Sequence, residues 1–157
     1  MPAPSEYSRK YHLQLNAGSI HLYGSNWVKI NHETNSVFVD GYAEYNGTHY
    51  DAESLGRLML LLSEREIETT VKQFNGIFVI IAVYRDTVYL ITDAIRSKSL
   101  QYAKLENQYY ITDNILALAE AEALSLEIDA DKLEEMVVSK YVYGEFTVYK
   151  DVFALQA

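Results

Sequence analysis

The residue types that most often carry chemistry are sparse in this sequence, and they lack the spacing that such chemistry needs. The 157 residues contain no cysteine, so no thiolate of this chain can serve as a nucleophile or a metal ligand. Four histidines are present, but none lies in an HxH or HExxH arrangement, and we therefore expect no metal site. The four are His12, His21, His32 and His49.

Acidic side chains are abundant, but their pattern is typical of solvated helix faces. Glu64, Glu66 and Glu68 alternate with Arg65 and Ile67. Two carboxylates in one pocket could do acid–base chemistry, yet no spacing here brings two together. The sequence also lacks the nucleophile elbow GxSxG and the phosphate-binding loops GxxxxGK[ST] and GxGxxG. A direct search for motifs therefore identifies no active site.

Composition and charge narrow the class of protein. Apolar residues make up 49% of the chain, which predicts a folded globular protein, and the length predicts a single domain over residues 1–157. The net charge of -9 argues against a nucleic-acid partner. The longest apolar run, residues 77–84, is too short to span a membrane, and the N-terminus lacks the apolar core of a signal peptide. We therefore expect a soluble, cytoplasmic protein with no membrane partner.

The first forty residues predict β-structure. Short runs, some of them alternating, are separated by residues that favour turns, which is typical of an antiparallel meander. These runs are residues 7–15, 19–23, 27–30 and 36–39.

Two helical segments follow. Leu55, Leu58, Met59 and Leu62 recur at the spacing of one helix face, and Asp51 or Ser54 could cap the start. Helical spacing continues after a break near residue 63, so the region holds two helices or one bent helix.

A second set of strands and helices completes the chain. The almost wholly apolar run 77–84 predicts a strand covered on both faces, and three further strands are expected at 88–92, 100–105 and 108–111. Thr112 or Asp113 is expected to cap one helix and Asp129 another, before a β-like run at 146–155. The order sheet, helices, sheet, helices predicts an α+β fold with two packed sheets and helices outside.

The second half also resembles a known family. Residues 74–78, Phe-Asn-Gly-Ile-Phe, precede a buried strand and a turn, and are similar to the LNGxFAF pattern of the asparagine synthetase family. Asp93, Lys98, Leu100 and Tyr102 agree with the family's stretch ARDRFGIKPLYY. Three further stretches resemble family segments in the same order. They are residues 110–118 (FASELKAL), 128–133 (LDPEAL) and 141–152 (GYVPGPRTIFKGI).

The resemblance implies a fold and an activity. The family's N-terminal domain is a class II glutamine amidotransferase domain with an N-terminal-nucleophile (Ntn) hydrolase fold. This implies a four-layer αββα sandwich of two antiparallel sheets with helices outside. In the family, the cysteine that follows the initiator methionine attacks the glutamine amide, and its own α-amine serves as the base.

The residues that the resemblance would assign to catalysis are changed here. Pro2 follows Met1, and Ser5 is a remote candidate nucleophile that would need cleavage after Pro4. The family's asparagine that helps form the oxyanion hole corresponds to Asp40, whose carboxylate would repel a developing oxyanion. Counting back from Asn75, Leu55 falls where the family keeps an aspartate for the substrate's amino group. The RGPD segment that helps to hold the glutamine carboxylate has no counterpart.

These changes predict a degenerate domain with a vestigial pocket and no catalytic residue. The pocket residues are Asp40, Gly41, Tyr42, Leu55, Asn75 and Gly76. Three nearby tyrosines, Tyr42, Tyr45 and Tyr50, are expected either to fill the vacated site or to face a partner.

We therefore expect a non-catalytic domain of an ATP-dependent amide-forming system, of the kind that makes β-lactams or cyclises peptides. Its partner would be a synthetase domain or subunit carrying a SGGxDS-like loop, with ATP and Mg bound there and no cofactor in this domain. That synthetase domain is absent from these 157 residues, so a truncated chain and a split gene both stay open. The alternatives are an active amidohydrolase with a non-cysteine nucleophile and an unrelated α+β interaction module, and tyrosine-rich faces could also support a homo-oligomer.

Overall fold

The computed structural model describes residues 9–16, 18–24, 26–105, 107–140, 142 and 144–156. Within these residues, ten strands form two five-stranded sheets, and the chain also contains four helices. This confirms the α+β class and supplies the sheets and helices of the predicted sandwich. The chain divides into two compact units. The central unit comprises residues 26–98, and the split unit combines the strands before residue 25 with residues 99–156.

The central unit contains one antiparallel sheet and two helices. The sheet order is β3-β4-β6-β7, and β5 pairs with the far end of β4. The strands are β3 (Val28–His32), β4 (Asn35–Tyr45), β5 (Thr48–Tyr50), β6 (Asn75–Tyr84) and β7 (Thr87–Thr92), and the helices are α1 (Ala52–Leu61) and α2 (Glu64–Val71).

Local capping explains where the two helices of the central unit begin. The Asp51 carboxylate accepts a hydrogen bond from the Ser54 backbone N–H at 2.8 Å, so the first of the two predicted caps is the one used. Leu62 leaves the helical conformation, and Ser63 starts a new helix through a capping box with Glu66. The sequence was compatible with two helices or with one bent helix in this region, and the structure contains two helices.

Strand β6 is buried on both faces, as its apolar run predicted. Its even-numbered residues from Phe78 to Tyr84 pack with β4 and the helices, in a core that also holds Leu55, Met59 and Ile67. The odd-numbered residues Val79, Ile81 and Val83 on the opposite face are also buried. The other buried members of the helix-side core are Val37, Val39, Ala43, Ile80 and Ala82.

The split unit contains a mixed sheet in the order β1-β2-β9-β8-β10, with two helices. Strands β2 and β9 are parallel, and the other pairs are antiparallel, so the expectation of two antiparallel sheets is wrong for this sheet. The elements are β1 (Arg9–Leu15), β2 (Gly18–Gly24), β8 (Gln101–Leu105), β9 (Gln108–Thr112), β10 (Val152–Ala154), α3 (Ile115–Ala121) and α4 (Ala130–Ser139).

Several predictions about strands and caps were wrong. The first four strands do not form one meander, because β1 and β2 join the sheet of the split unit while β3 and β4 join that of the central unit. Asn114 caps α3 instead of Thr112 or Asp113, and the Thr112 hydroxyl instead accepts from the Asn114 backbone N–H. The expected C-terminal run contributes only the three residues of β10. Among the described residues, no helix has the length and apolar character to cross a membrane.

The core of the central unit yields a stability prediction. Leu55 is fully buried, so Leu55→Ala should lower the free energy of unfolding by about 2–5 kcal/mol through lost burial and a residual cavity. Leu61→Ala is the matched control in the same helix, because Leu61 is 83% exposed and should cost less than about 0.5 kcal/mol. Urea unfolding followed by circular dichroism measures both, and equal losses would contradict the placement of α1.

Candidate functional site

Five of the six predicted pocket residues lie together on one pair of strands. In the antiparallel register of β4 and β6, Gly41 faces Phe78, Tyr42 faces Ile77 and Ala43 faces Gly76. The five residues that this brings together are Asp40, Gly41, Tyr42, Asn75 and Gly76. The turn signal that the sequence shows at Asn75 and Gly76 is therefore the start of β6 and forms part of the ladder.

The two glycines of this stretch permit a close approach of the strands. A Cβ on Gly41 would lie 2.0 Å from the Ile77 carbonyl oxygen, and one on Gly76 would lie 2.3 Å from the Tyr42 carbonyl oxygen. Gly41 also has a φ of +115°, which residues with a side chain rarely adopt. Each glycine is thus required by backbone packing, whether or not the site binds a ligand.

Asp40 forms an ion pair across the sheet face opposite the helices. Its carboxylate oxygen lies 2.9 Å from the Nζ of Lys98, which follows β7 in the chain. Both side chains are mostly buried, with 20% of Asp40 and 31% of Lys98 exposed. The position that the resemblance assigns to an oxyanion donor therefore holds a negatively charged acceptor with its own cation.

Lys98 is presented by a loop that Asp93 organises. The Asp93 carboxylate accepts hydrogen bonds from the backbone N–H groups of Phe78, Ile95 and Ser97 at 3.1–3.3 Å, and from the Ser97 hydroxyl at 3.1 Å. Asp93 is only 3% exposed. Because buried carboxylates need donors, this cluster fixes the chain between β7 and Lys98.

Hydrogen bonding also sets the acidity of Asp93. Burial acts to raise the pKa of this carboxyl, but the hydrogen bonds from Ser97, and then those from Ile95 and Phe78, outweigh it. The pKa of Asp93 consequently lies below its ordinary value of 3.8. The hydrogen bonds therefore stabilise the charged form of the Asp93 carboxylate.

The nearby tyrosines do not act together as a plug. Tyr42 is 44% exposed, and its ring centroid lies 5.4 Å from that of His49. Tyr45 packs edge-on against Phe74 at 5.4 Å, and Tyr50 packs against the helix-side core. Tyr42 is therefore a half-exposed surface residue, which does not fit the expectation that it fills a closed pocket.

Leu55 is the one predicted pocket residue that does not lie on β4 or β6. It is fully buried in the helix-side core and has no exposed surface with which to meet a ligand. An exposed aspartate, Asp51, lies one helical turn earlier at the N-terminus of α1. Because Leu55 faces the core, its placement does not support the alignment of Leu55 with the family's substrate-binding aspartate. The loss of that aspartate therefore cannot be inferred from Leu55.

The residues that organise this region were only partly visible in the sequence. Asp93 and Lys98 were matched to the family pattern, but neither was predicted to belong to the site. The available signal was that the matched stretch of residues 91–102 begins in the last two residues of β7, the strand paired with β6. Ser5 lies outside the described residues, and within the described part no group of three or more His, Asp or Glu side chains could hold a metal.

The Asp93 cluster predicts a pH-dependent contribution to stability. Asp93→Asn keeps the size of the side chain but replaces one acceptor oxygen with a donor that faces N–H groups, and should cost about 2–4 kcal/mol. Because the folded-state pKa is depressed, the contribution of the wild-type carboxylate is present above pH 3.8 and is lost as the pH falls through the folded-state value.

Urea unfolding between pH 7 and pH 3 tests this prediction. The difference between the wild type and Asp93→Asn should shrink toward the acid end. Asp86→Asn is a control, because Asp86 is an exposed aspartate in the β6–β7 turn. A difference that stays constant down to pH 3 would contradict the role of the charged carboxylate.

Comparison with known protein families shows which family the chain belongs to. A family model described as a glutamine amidotransferase domain matches residues 32–157, a stretch that contains β4, β6, Asp93 and Lys98. No curated protein and no solved structure matches the chain significantly. The match removes the alternative of an unrelated α+β module. The α+β fold and the extent of this match together show that the chain belongs to the glutamine amidotransferase domain family.

Proposed function

We propose that this is a non-catalytic glutamine amidotransferase-like domain of an ATP-dependent, amide-forming system related to asparagine synthetase. The observation that carries the proposal is the Asp40–Lys98 ion pair, because the resemblance assigns the position of Asp40 to the oxyanion donor. In this role the domain stabilises and positions a synthetase partner and does not release ammonia from glutamine.

The charge at Asp40 opposes amide hydrolysis. Attack on an amide places negative charge on the carbonyl oxygen, and preorganised donors aimed at that oxygen lower the barrier. A carboxylate offers no donor and repels the developing charge. Lys98 does supply donors, but at 2.9 Å one of them is directed to Asp40. Removal of one oxyanion-hole donor from a hydrolase typically lowers the rate by about 10²–10³.

The nucleophile is a second, independent deficit. The sequence has no cysteine, and the family's attack on glutamine uses a cysteine thiol with the α-amine as base. An amidohydrolase that uses Ser5 or another hydroxyl is the competing function. It would need both proteolytic exposure of that residue and an oxyanion donor other than residue 40.

The surface of α4 supports a role in binding a partner. Its partly buried face is polar, where Lys132 and Glu135 form an ion pair at 2.9 Å. Lys132 also lies over the ring of Phe146, with its Nζ 4.6 Å from the ring centroid. An ordinary surface helix buries its apolar stripe, so α4 has the reverse arrangement.

Four large apolar side chains of α4 are exposed, beside the polar residues Asp131, Glu134 and Ser139. Leu133, Met136, Val137 and Val138 are 40%, 45%, 61% and 77% exposed, and no residue of the helix is buried. Contiguous exposed apolar surface of this kind marks protein–protein interfaces. We assign this surface to the synthetase partner, which would carry the ATP and Mg chemistry in the cytoplasm.

The first test concerns glutamine hydrolysis. Incubation of the intact protein with glutamine should release no ammonia above a heat-denatured sample. Pro2→Cys alone should also release none, because Asp40 still opposes the oxyanion. Efficient hydrolysis by either protein would overturn the proposal. For the wild type, an intact mass beginning at Ser5 would then identify the competing nucleophile.

The second test concerns the partner. The genomic neighbour or downstream segment is first sequenced for a SGGxDS-like loop, and the encoded synthetase is co-expressed with this domain. Val137→Asp should weaken their association by at least about tenfold while leaving the free energy of unfolding within about 0.5 kcal/mol, since Val137 is exposed.

Leu116→Asp is a matched control on another helix, because Leu116 is 60% exposed on α3. Calorimetric titration of the purified partners measures the affinity. An unchanged affinity in Val137→Asp, or the absence of any such synthetase gene, would contradict the assignment of α4.

A further inference from the structure

A cleft lies at the opposite end of β6 from the site described above. It has a volume of about 700 Å³, within the range of small-molecule sites. The turn before β4, the junction of α1 and α2, and the turn after β6 form its walls. The lining residues are Asn35, Leu62, Ser63, Glu64, Arg65, Tyr84 and Arg85.

Hydrogen bonds hold the walls of this cleft in place. The side-chain oxygen of Asn35 accepts from the Arg85 backbone N–H at 3.3 Å, which joins two turns that are fifty residues apart. The hydroxyl of the buried Tyr84 donates to the Met59 carbonyl, and burial raises the pKa of Tyr84 to about 12. The Tyr84 side chain in the lining of the cleft therefore stays neutral and fixed in place at physiological pH.

Two arginines of the cleft differ from several other cations of this acidic chain, which form ion pairs. Arg57, Lys72, Lys98 and Lys150 are each paired with a carboxylate at 4 Å or less. Within the described residues, the guanidinium groups of Arg65 and Arg85 make no hydrogen bond or ion pair. The one carboxylate of the lining, Glu64, instead accepts from the Tyr89 hydroxyl at 3.2 Å.

The charges of the cleft give it a preference for anions. Two guanidinium groups and one carboxylate leave a net positive charge on a chain whose total is -9. The planar fork of arginine matches the paired oxygens of phosphate and carboxylate groups. We propose that this cleft binds a small molecule through a phosphate or carboxylate group held between Arg65 and Arg85. The inference is independent of the proposed function, because none of the residues at the Asp40 site takes part.

Calorimetric titration of the intact protein with inorganic pyrophosphate and with citrate tests the proposal and separates the two anion sources. We expect saturable binding of at least one, weakened about tenfold or more in both Arg65→Gln and Arg85→Asn. Asparagine is chosen for position 85 because its φ of +54° is one that asparagine tolerates. Glu64→Gln should tighten binding, since it removes the opposing charge and keeps an acceptor for Tyr89.

Arg57→Gln is the matched control, since it removes the same charge from an exposed position outside the cleft. Its affinity should equal that of the wild type. Binding that falls equally in Arg57→Gln would show a non-specific charge effect and overturn the proposal. The absence of saturable binding for both probes at millimolar concentration would overturn it as well. Circular dichroism of each variant verifies folding, and an unfolded variant is replaced by Arg65→Lys or Arg85→Lys, which keep the charge but lose the fork.

Discussion

The central unit depends on the antiparallel pairing of β4 with β6. Nine residue pairs, from Ser36–Val83 to Glu44–Asn75, are in register, and a slip by one residue would exchange the two faces of each strand. At Gly41 and Gly76 an added Cβ would lie within 2.3 Å of a backbone atom of the facing strand. This constraint explains why the fold needs glycine at positions 41 and 76, whatever the chemistry of the site.

The same pairing sets the direction of the charged side chains. Val37, Val39 and Ala43 point into the helix-side core, so the alternation along β4 places Asp40 on the opposite face. Asp93 follows β7 beside Phe78 and orders the loop that carries Lys98. Two aspartates therefore have different roles: Asp93 is satisfied by backbone N–H groups and a hydroxyl, whereas Asp40 depends on a single cation. Only Asp40 lies at the position that the resemblance to the asparagine synthetase family assigns to an oxyanion donor.

The sequence predicted those elements whose signals are local. The 3.6-residue apolar period marked α1, and the apolar run marked the doubly buried β6. The break near Ser63 was also visible, although it left two helices and one bent helix both open. Pairings between distant segments could not be predicted in this way. The parallel contact of β2 with β9 joins residues about ninety positions apart, and no turn signal reports it. The expected meander failed for that reason.

Individual site residues were harder to predict than the strands that hold them. Counting back from Asn75 assigned Leu55 to a substrate-binding position, but the count assumed that the segment lengths between α1 and β6 were preserved. The helix period itself shows the difficulty, since Leu55 belongs to the same apolar stripe as Met59 and must face the core. Lys98 could be matched by sequence, but its partner Asp40 is 58 residues away and becomes visible only when β4, β6 and β7 are assembled.

The two ends of β6 carry separate electrostatic environments. Asp40 pairs with Val79, which is five residues from Tyr84, so an extended strand separates Asp40 from the arginine cleft by roughly 17 Å. That distance exceeds the screening length of about 8 Å at physiological ionic strength. Charge changes at one end should therefore act almost independently of the other, and their effects on stability should add. The charges at one end of β6 therefore place little electrostatic constraint on what the opposite end binds.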